Sequence, residues 1–289
     1  MIFAQNFDPR ICSAGQFSRC PPQRYGDEKS AHRVTELVVF SDLDGTLLDH
    51  ETYSYAPAQT ALDALAARGI PLILATSKTA AEVAVLHKAL NLGHWPAIVE
   101  NGAGIYRPGD KDADDAAYTA IRAALDRLPA ELRAAFTGFG DMTDAKVAQI
   151  TGLPLASAQR ARQRQHSEPG LWHGSDPGRA SFQHALAGLG IQARSGGRFL
   201  TLSHGRTKAD GLRQIADELD ARCTLALGDA PNDTDMLQAA SIGVIVRNDH
   251  GPGIPKLPGE AQGTLRRTTH PGPTGWAEAV LAILNEIKD

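Results

Sequence analysis

Several things are scarce in this chain of 289 residues, and each absence excludes a class of protein. Cysteine occurs three times, at Cys12, Cys20 and Cys223, with no C-x-x-C spacing and no way for all three to pair. That excludes a disulfide framework and a structural zinc site, and it suits a reducing compartment, with the cytoplasm as the expected location. The ten histidines are scattered, with no H-E-x-x-H pair. No apolar run is long enough to span a bilayer, so no membrane partner is expected. Excess positive charge is missing too: 29 Lys and Arg against 33 Asp and Glu leave a net charge of −4, and nucleic acid is not an expected partner. The opening stretch MIFAQNFDPRICSAGQFSRCPPQRYGDEKSAHR lacks the apolar middle of a signal peptide. It is polar, carries Pro-Pro and has no period, so residues 1–35 are expected to be a loose extension or a mis-called start.

What is present is an ordinary soluble composition, 42% apolar and 21% charged, in a chain long enough for one large domain or two. Leu37–Phe40 is a continuous apolar run that predicts a buried parallel strand. Pro57–Arg68 has helical spacing and stops at Gly69; Ile70–Ala75 predicts a second buried strand. Thr79–Leu90 predicts a helix capped by Thr79 with Glu82 three residues on, and Ala97–Val99 a third strand. This order predicts an α/β fold with a doubly wound parallel sheet, whose ligands bind at the carboxyl ends of the strands. From Tyr106 the texture changes. Helices over Asp112–Leu128, Asp141–Thr151, Leu155–Arg164 and near Gly178–Leu189, then a hairpin turning at Gly196-Gly197, read as an inserted α+β block. Lys208–Leu219, Thr224–Leu227, Asp233–Ala240 and Ile242–Val246 resume the α/β alternation. Arg247–Pro273 is expected to be a long ordered loop, and Trp276–Ile287 a closing amphipathic helix. The expected domains are residues 36–105 with 200–289, and the insertion 106–199.

The stretch LVVFSDLDGTLL poses the chemical question, because Asp42 and Asp44 follow directly on a buried-looking strand. Polar clusters follow other predicted strands as well: Thr76 to Lys78, and Gly228-Asp229 through Asn232-Asp233, with Lys208 opening a helix. In a doubly wound sheet such strand ends converge. Asp42, Asp44, Asp229 and Asp233 would then crowd one site, where bare carboxylates repel one another. Hard oxygen ligands without nitrogen or sulfur suit Mg²⁺, which leaves room for a phosphate.

DLDGT, the Thr-Ser after the second strand, a later lysine and GDAPND resemble, in that order, the four motifs of the haloacid dehalogenase superfamily of phosphatases. Singly, each also reads as a turn, a cap, a solvated lysine or a loop; the ordered set carries the resemblance. The resemblance implies that Asp42 is the nucleophile and Asp44 the general acid, then base. Gly45 would permit the turn and Thr46 would position it. Thr76 would hydrogen-bond the phosphate, and Lys208 would balance its charge and that of Asp42. Asp42, Asp44 through its carbonyl, Asp229 and Asp233 would form the Mg²⁺ site, with Asp233 orienting it from behind. The insertion falls where that superfamily's sugar-phosphatase branch, including the Cof-like members, carries its cap.

ATSKTAAEV, IVENGAGIY, RQHSEP, SGGRFLTL and GPTGW narrow the resemblance to the mannosyl-3-phosphoglycerate phosphatase family, over Glu36 to Asp289. It implies a substrate carrying a phosphate, a carboxylate and a hexose. Lys78, Asn101, Arg164, Ser167, Glu168, Arg198 and Asn232 are then the candidates for substrate binding. Arg198 would take the carboxylate, and Glu168 would accept from sugar hydroxyls. Glucosyl-3-phosphoglycerate, another small sugar phosphate, or a phosphomutase reaction stay open as alternatives. A silent binding protein is disfavoured because Asp42 and Asp44 are both present. A monomer or a dimer is expected.

Overall fold

The computed structural model describes residues 35–110 and 115–287, so the reading of the first 35 residues falls outside it except at Thr35. Among the described residues eleven strands follow in chain order: β1 Val38–Ser41, β2 Leu72–Leu74, β3 Ala97–Val99, β4 Gly104–Tyr106, β5 Phe136–Gly138, β6 Ser167–Trp172, β7 Gln192–Gly196, β8 Phe199–Ser203, β9 Thr224–Gly228, β10 Ile242–Arg247 and β11 Leu265–Pro271. The chain divides into two compact units, one ending at Leu74 and resuming at Leu212, the other spanning Ala75–Gly211.

The first unit holds a parallel five-stranded sheet in the order β11-β10-β9-β1-β2. Its interior strand β1, between β9 and β2, is buried at every position, as an apolar run covered on both faces must be. The chain leaves β1 toward β2 and later returns to the other side at β9, so the order switches between β1 and β9. That is the position where doubly wound sheets place their ligands. The helix Gly272–Glu286 packs on β10, β11 and the helix Gln59–Ala67, and buries Trp276, Val280, Ile283 and Leu284. Arg247–Pro273 is not the long loop its Gly and Pro content predicts. It contains the short helix Pro258–Gln262 and β11, an edge strand of which only Leu265 is buried. Edge strands tolerate polar residues that mask them in a hydrophobicity pattern.

The second unit opens on the helix Ala80–Ala89. Thr79 accepts from Glu82 N–H at 3.2 Å and Glu82 accepts from Thr79 N–H at 2.9 Å, the capping box read from the sequence. β3 turns back on β4 as an antiparallel pair, and its parallel link is a single bridge, Ala75 with Ile98. An antiparallel sheet follows in the order β5-β6-β8-β7. Ile121, Leu125, Phe136, Phe182, Leu186, Leu200 and Leu202 form its main core with the helices Ala116–Asp126 and Asp176–Ala187. β6 carries Pro169 and Gly170 in an interior strand. The β5 ladder ends at the Gly138–Gly170 pair, so Pro169 lies beyond it. A side chain at Gly170 would strike the Phe136 ring. The hairpin pairs Gly196 with Phe199, so its two-residue turn is Gly197-Arg198, one residue later than expected. Among the described residues no helix is long and apolar enough to cross a membrane.

Candidate active site

The first unit assembles the aspartates. Asp42 follows β1, donates its N–H to Leu227 of β9 at 2.9 Å, and is 8% exposed. The next residues wind into a tight turn: Leu43 C=O accepts from Thr46 at 3.2 Å and Leu48 at 2.8 Å. Gly45 sits at φ +83°, and a side chain there would collide with Asn248. Asp44, on the same turn, is half-buried.

Asp229 follows β9 and is buried. Its Oδ1 accepts from the Thr46 hydroxyl at 2.6 Å, and its Oδ2 from Asn248 Nδ2 at 2.7 Å. Asp233 is wholly buried, and its Oδ2 accepts from the N–H groups of Asp229 at 3.1 Å and Ala230 at 3.0 Å. It therefore holds the turn that presents Asp229. One carboxylate oxygen from each of Asp42, Asp229 and Asp233 lies within 4.8 Å of the others. Three buried carboxylates so close repel strongly unless a cation joins them, and an all-oxygen donor set fits a hard divalent ion such as Mg²⁺. Asn232, expected near the phosphate, is exposed on the Pro231–Asp233 turn.

GPTGW acquires a physical reason here. Trp276, fully buried, donates from Nε1 to Ser41 Oγ at 2.9 Å, and Ser41 donates to the Asp42 carbonyl at 2.7 Å. The motif braces the backbone that carries the proposed nucleophile.

The second unit assembles the other polar group. Thr76 is buried, and its hydroxyl oxygen accepts from Lys78 N–H at 3.2 Å, which leaves the hydroxyl proton to be donated elsewhere. Asn101 N–H donates to Thr76 C=O at 2.8 Å and Glu100 N–H to Lys78 C=O at 2.9 Å. Glu100, Asn101 and Gly102 all have positive φ, at +52°, +59° and +93°. For a glutamate that conformation costs about 1 kcal/mol or more. Gly102 lies so close to the Thr207–Lys208 backbone that any side chain would overlap it. Lys208, 1% exposed, opens the helix Lys208–Glu218 from that contact. Thr76, Lys78, Asn101 and Lys208 are thus tied together through the Glu100–Gly102 turn.

Arg164 and Ser167 face that turn's glutamate, which sequence reading did not single out. Glu100 Oε2 accepts from Ser167 Oγ at 2.7 Å and lies 3.2 Å from Arg164 Nε. Glu168, on β6, is fully buried: Oε1 accepts from Arg122 at 2.8 Å and Gly140 N–H at 2.8 Å. Burial pushes its carboxyl above the usual range against the pull of those two donors. Arg122 also pairs with Asp141, whose carboxyl is held low by Arg122, Arg133 and the Gly138 N–H despite its burial. Arg198, exposed on its hairpin, reaches Thr151 C=O at 3.4 Å and has no carboxylate partner among the described residues.

Over residues 39–124 and 179–252 the sequence matches the family described as haloacid dehalogenase-like hydrolase. The chain belongs to that family. It is also 32% identical, over 86% of its own length and 97% of the relative's, to a protein named glucosyl-3-phosphoglycerate/mannosyl-3-phosphoglycerate phosphatase from Methanococcoides burtonii. The chain is accordingly a phosphoric monoester hydrolase of the haloacid dehalogenase type. The sucrose-phosphatase of Synechocystis sp. PCC6803 shares the fold, with a TM-score of 0.57 at 18% identity over 86% of this chain and 98% of that one. BT1666 from Bacteroides thetaiotaomicron shares it at 0.54 and 20% identity, over 90% and 97%. The parallel sheet with its flanking helices is the haloacid dehalogenase-like fold, and the additional antiparallel sheet is consistent with a cap domain.

Proposed function

We propose that this chain is a Mg²⁺-dependent phosphatase that hydrolyses mannosyl-3-phosphoglycerate to mannosylglycerate and phosphate. The observation that carries the mechanism is the buried cluster of Asp42, Asp229 and Asp233 at the switch point of the parallel sheet. The relative from Methanococcoides burtonii supports the substrate.

Asp42 attacks phosphorus through a carboxylate oxygen, forming an aspartyl-phosphate as the bond to the leaving oxygen breaks. Asp44 gives its proton to that leaving alkoxide and so becomes a carboxylate. It then takes a proton from water as the water oxygen attacks the aspartyl-phosphate, releasing phosphate and restoring both side chains. Mg²⁺, held by Asp42, Asp229 and the Asp44 carbonyl, would offset the charge gathered on the phosphoryl oxygens. Asp233 fixes the Asp229 turn. The Thr76 hydroxyl and Lys208 would take the phosphate's remaining charge, with Lys78, Asn101 and Asn232 as further residues proposed to bind the substrate. The insertion 106–199 acts as the cap that reads the leaving group, with Arg198 on the glycerate carboxylate and Arg164, Ser167 and Glu168 shaping the glycosyl side. The enzyme would work in the cytoplasm as a monomer or a dimer.

Glucosyl-3-phosphoglycerate is the second reading, favoured by the relative's name, which carries both sugars. Phosphate release with Mg²⁺ from both glycosyl compounds, beside simple hexose phosphates, tests the proposal. A preference for either glycosyl compound supports it and decides the epimer. Equal or faster hydrolysis of hexose phosphates keeps the mechanism and discards the substrate. Isomerised sugar phosphate without net phosphate release would make the chain a phosphomutase.

A further inference from the structure

We infer that Glu100 is a positioning residue, which locks Arg164 and Ser167 against the turn that carries Thr76 and Lys78. Its backbone and its side chain work in two directions. The Glu100 N–H holds Lys78 C=O at 2.9 Å, and the neighbouring Asn101 N–H holds Thr76 C=O at 2.8 Å. The side chain, 2% exposed, holds the segment before β6. Oε1 accepts from Gln165 N–H at 2.9 Å, and Oε2 from His166 N–H at 3.2 Å and Ser167 Oγ at 2.7 Å, with Arg164 Nε 3.2 Å away.

Arg164 closes the circuit. Its Nη2 donates to Ser167 Oγ at 2.7 Å and its Nη1 to Ser77 C=O at 3.3 Å. The phosphate-side turn and the RQHSEP segment are therefore joined twice, once through Glu100 and once through Arg164. A buried carboxylate with several donors and a guanidinium is well compensated and fixes its partners' geometry. Positive φ at Glu100 is what lets one residue face both ways. Any salt bridge could stiffen a loop. This one meets, on one side, the residues proposed to hold phosphate and, on the other, residues proposed to meet the glycosyl part.

A substrate gripped at both ends should depend on that registration more than a phosphate ester with nothing for RQHSEP to read. The inference rests on the phosphatase reading above, but not on the identity of the sugar. The test compares wild type with Glu100→Gln, which keeps shape and one acceptor oxygen while losing the charge. Hydrolysis of the best glycosyl or sugar phosphate found for the wild type is measured beside p-nitrophenyl phosphate, with the melting temperature of each variant. The loss in kcat/KM on the sugar compound should exceed the loss on p-nitrophenyl phosphate at least tenfold, and KM should carry most of it. In a double-mutant cycle, Glu100→Gln should add little to Arg164→Lys, which keeps the charge but not the planar fork.

Equal losses on both substrates, or additive losses in the cycle, would overturn the inference and leave Glu100 a purely structural residue. If Glu100→Gln does not fold, Ser167→Ala replaces it in the same comparison and cycle, with the same criteria. A wild type that prefers simple hexose phosphates would instead count against the glycosyl-phosphoglycerate reading, and the Glu100 comparison would then be read on the preferred hexose phosphate.

Discussion

Asn248 donates from Nδ2 to one oxygen of Asp229 at 2.7 Å, while the Thr46 hydroxyl occupies the other at 2.6 Å. Both lobes of the proposed metal ligand are thus aimed by the protein before any ion is considered. Outer donors of this kind set ligand orientation, and their loss typically weakens metal binding about 10–100-fold. Asn248→Ala keeps the Thr46 bond and removes the other. Binding of Mn²⁺, followed by its electron paramagnetic resonance signal, should weaken about tenfold, with the melting temperature in chelator little changed. Unaltered Mn²⁺ affinity would mean that Asn248 only packs against Gly45.

Asp42→Asn separates chemistry from electrostatics. Turnover should fall on the order of 10³-fold or more if Asp42 is the nucleophile. The same change removes one of three crowded buried carboxylates. In chelator the variant should therefore melt higher than wild type; a gain of about 1 kcal/mol corresponds to roughly 2–4 °C in a domain of this size. Saturating Mg²⁺ should narrow or reverse that gap, because the wild type binds the ion better. Retained activity would remove the nucleophile assignment. Equal melting in chelator would show that the carboxylates are compensated without a cation.

The aspartates were legible because charged residues that follow apolar runs stand out: Asp42 after Val38–Phe40, Asp229 after Leu225–Leu227. The Thr79–Glu82 cap was legible because its spacing is local. What stayed hidden depends on tertiary placement. β11 reads L-R-R-T-T-H-P and is an edge strand, and β6 carries Pro-Gly inside a sheet. Glu100 and Asn248 are polar residues in turns, and their importance lies in partners far along the chain. The GPTGW motif was visible as a pattern, but only the Trp276–Ser41 hydrogen bond explains it.

Glu260 provides a pH test away from the site. It accepts from Arg267 Nε at 2.9 Å and Nη2 at 3.0 Å and from Leu257 N–H at 2.8 Å, so its carboxyl is lowered to about 2, with the Arg267 bonds the main cause. A carboxyl lower in the folded than in the unfolded chain adds stability above its unfolded value, and loses it as pH falls toward the folded one. The difference in melting temperature between wild type and Glu260→Gln should therefore be constant above pH ~5 and shrink from pH ~4.5 toward ~2. A difference that stays constant across that window would exclude the ion pair as its origin.

Arg198 tests how the carboxylate of the proposed substrate is read. It stands on the Gly197-Arg198 turn, exposed, with its guanidinium 5.7 Å from the Phe199 ring centroid and no carboxylate beside it among the described residues. A guanidinium held this loosely can reorganise onto a ligand carboxylate at little cost, and a charge-assisted hydrogen bond is worth about 1.5–3 kcal/mol. Arg198→Ala should therefore lower kcat/KM for glycosyl-3-phosphoglycerate by roughly 10–150-fold, mainly through KM, and far more than for p-nitrophenyl phosphate. Arg198→Lys should recover only part of the loss, since an ammonium cannot bind a carboxylate in the bidentate way. Equal losses on the two substrates would take Arg198 out of recognition and assign the glycerate to another cation, with Lys78 the next to test.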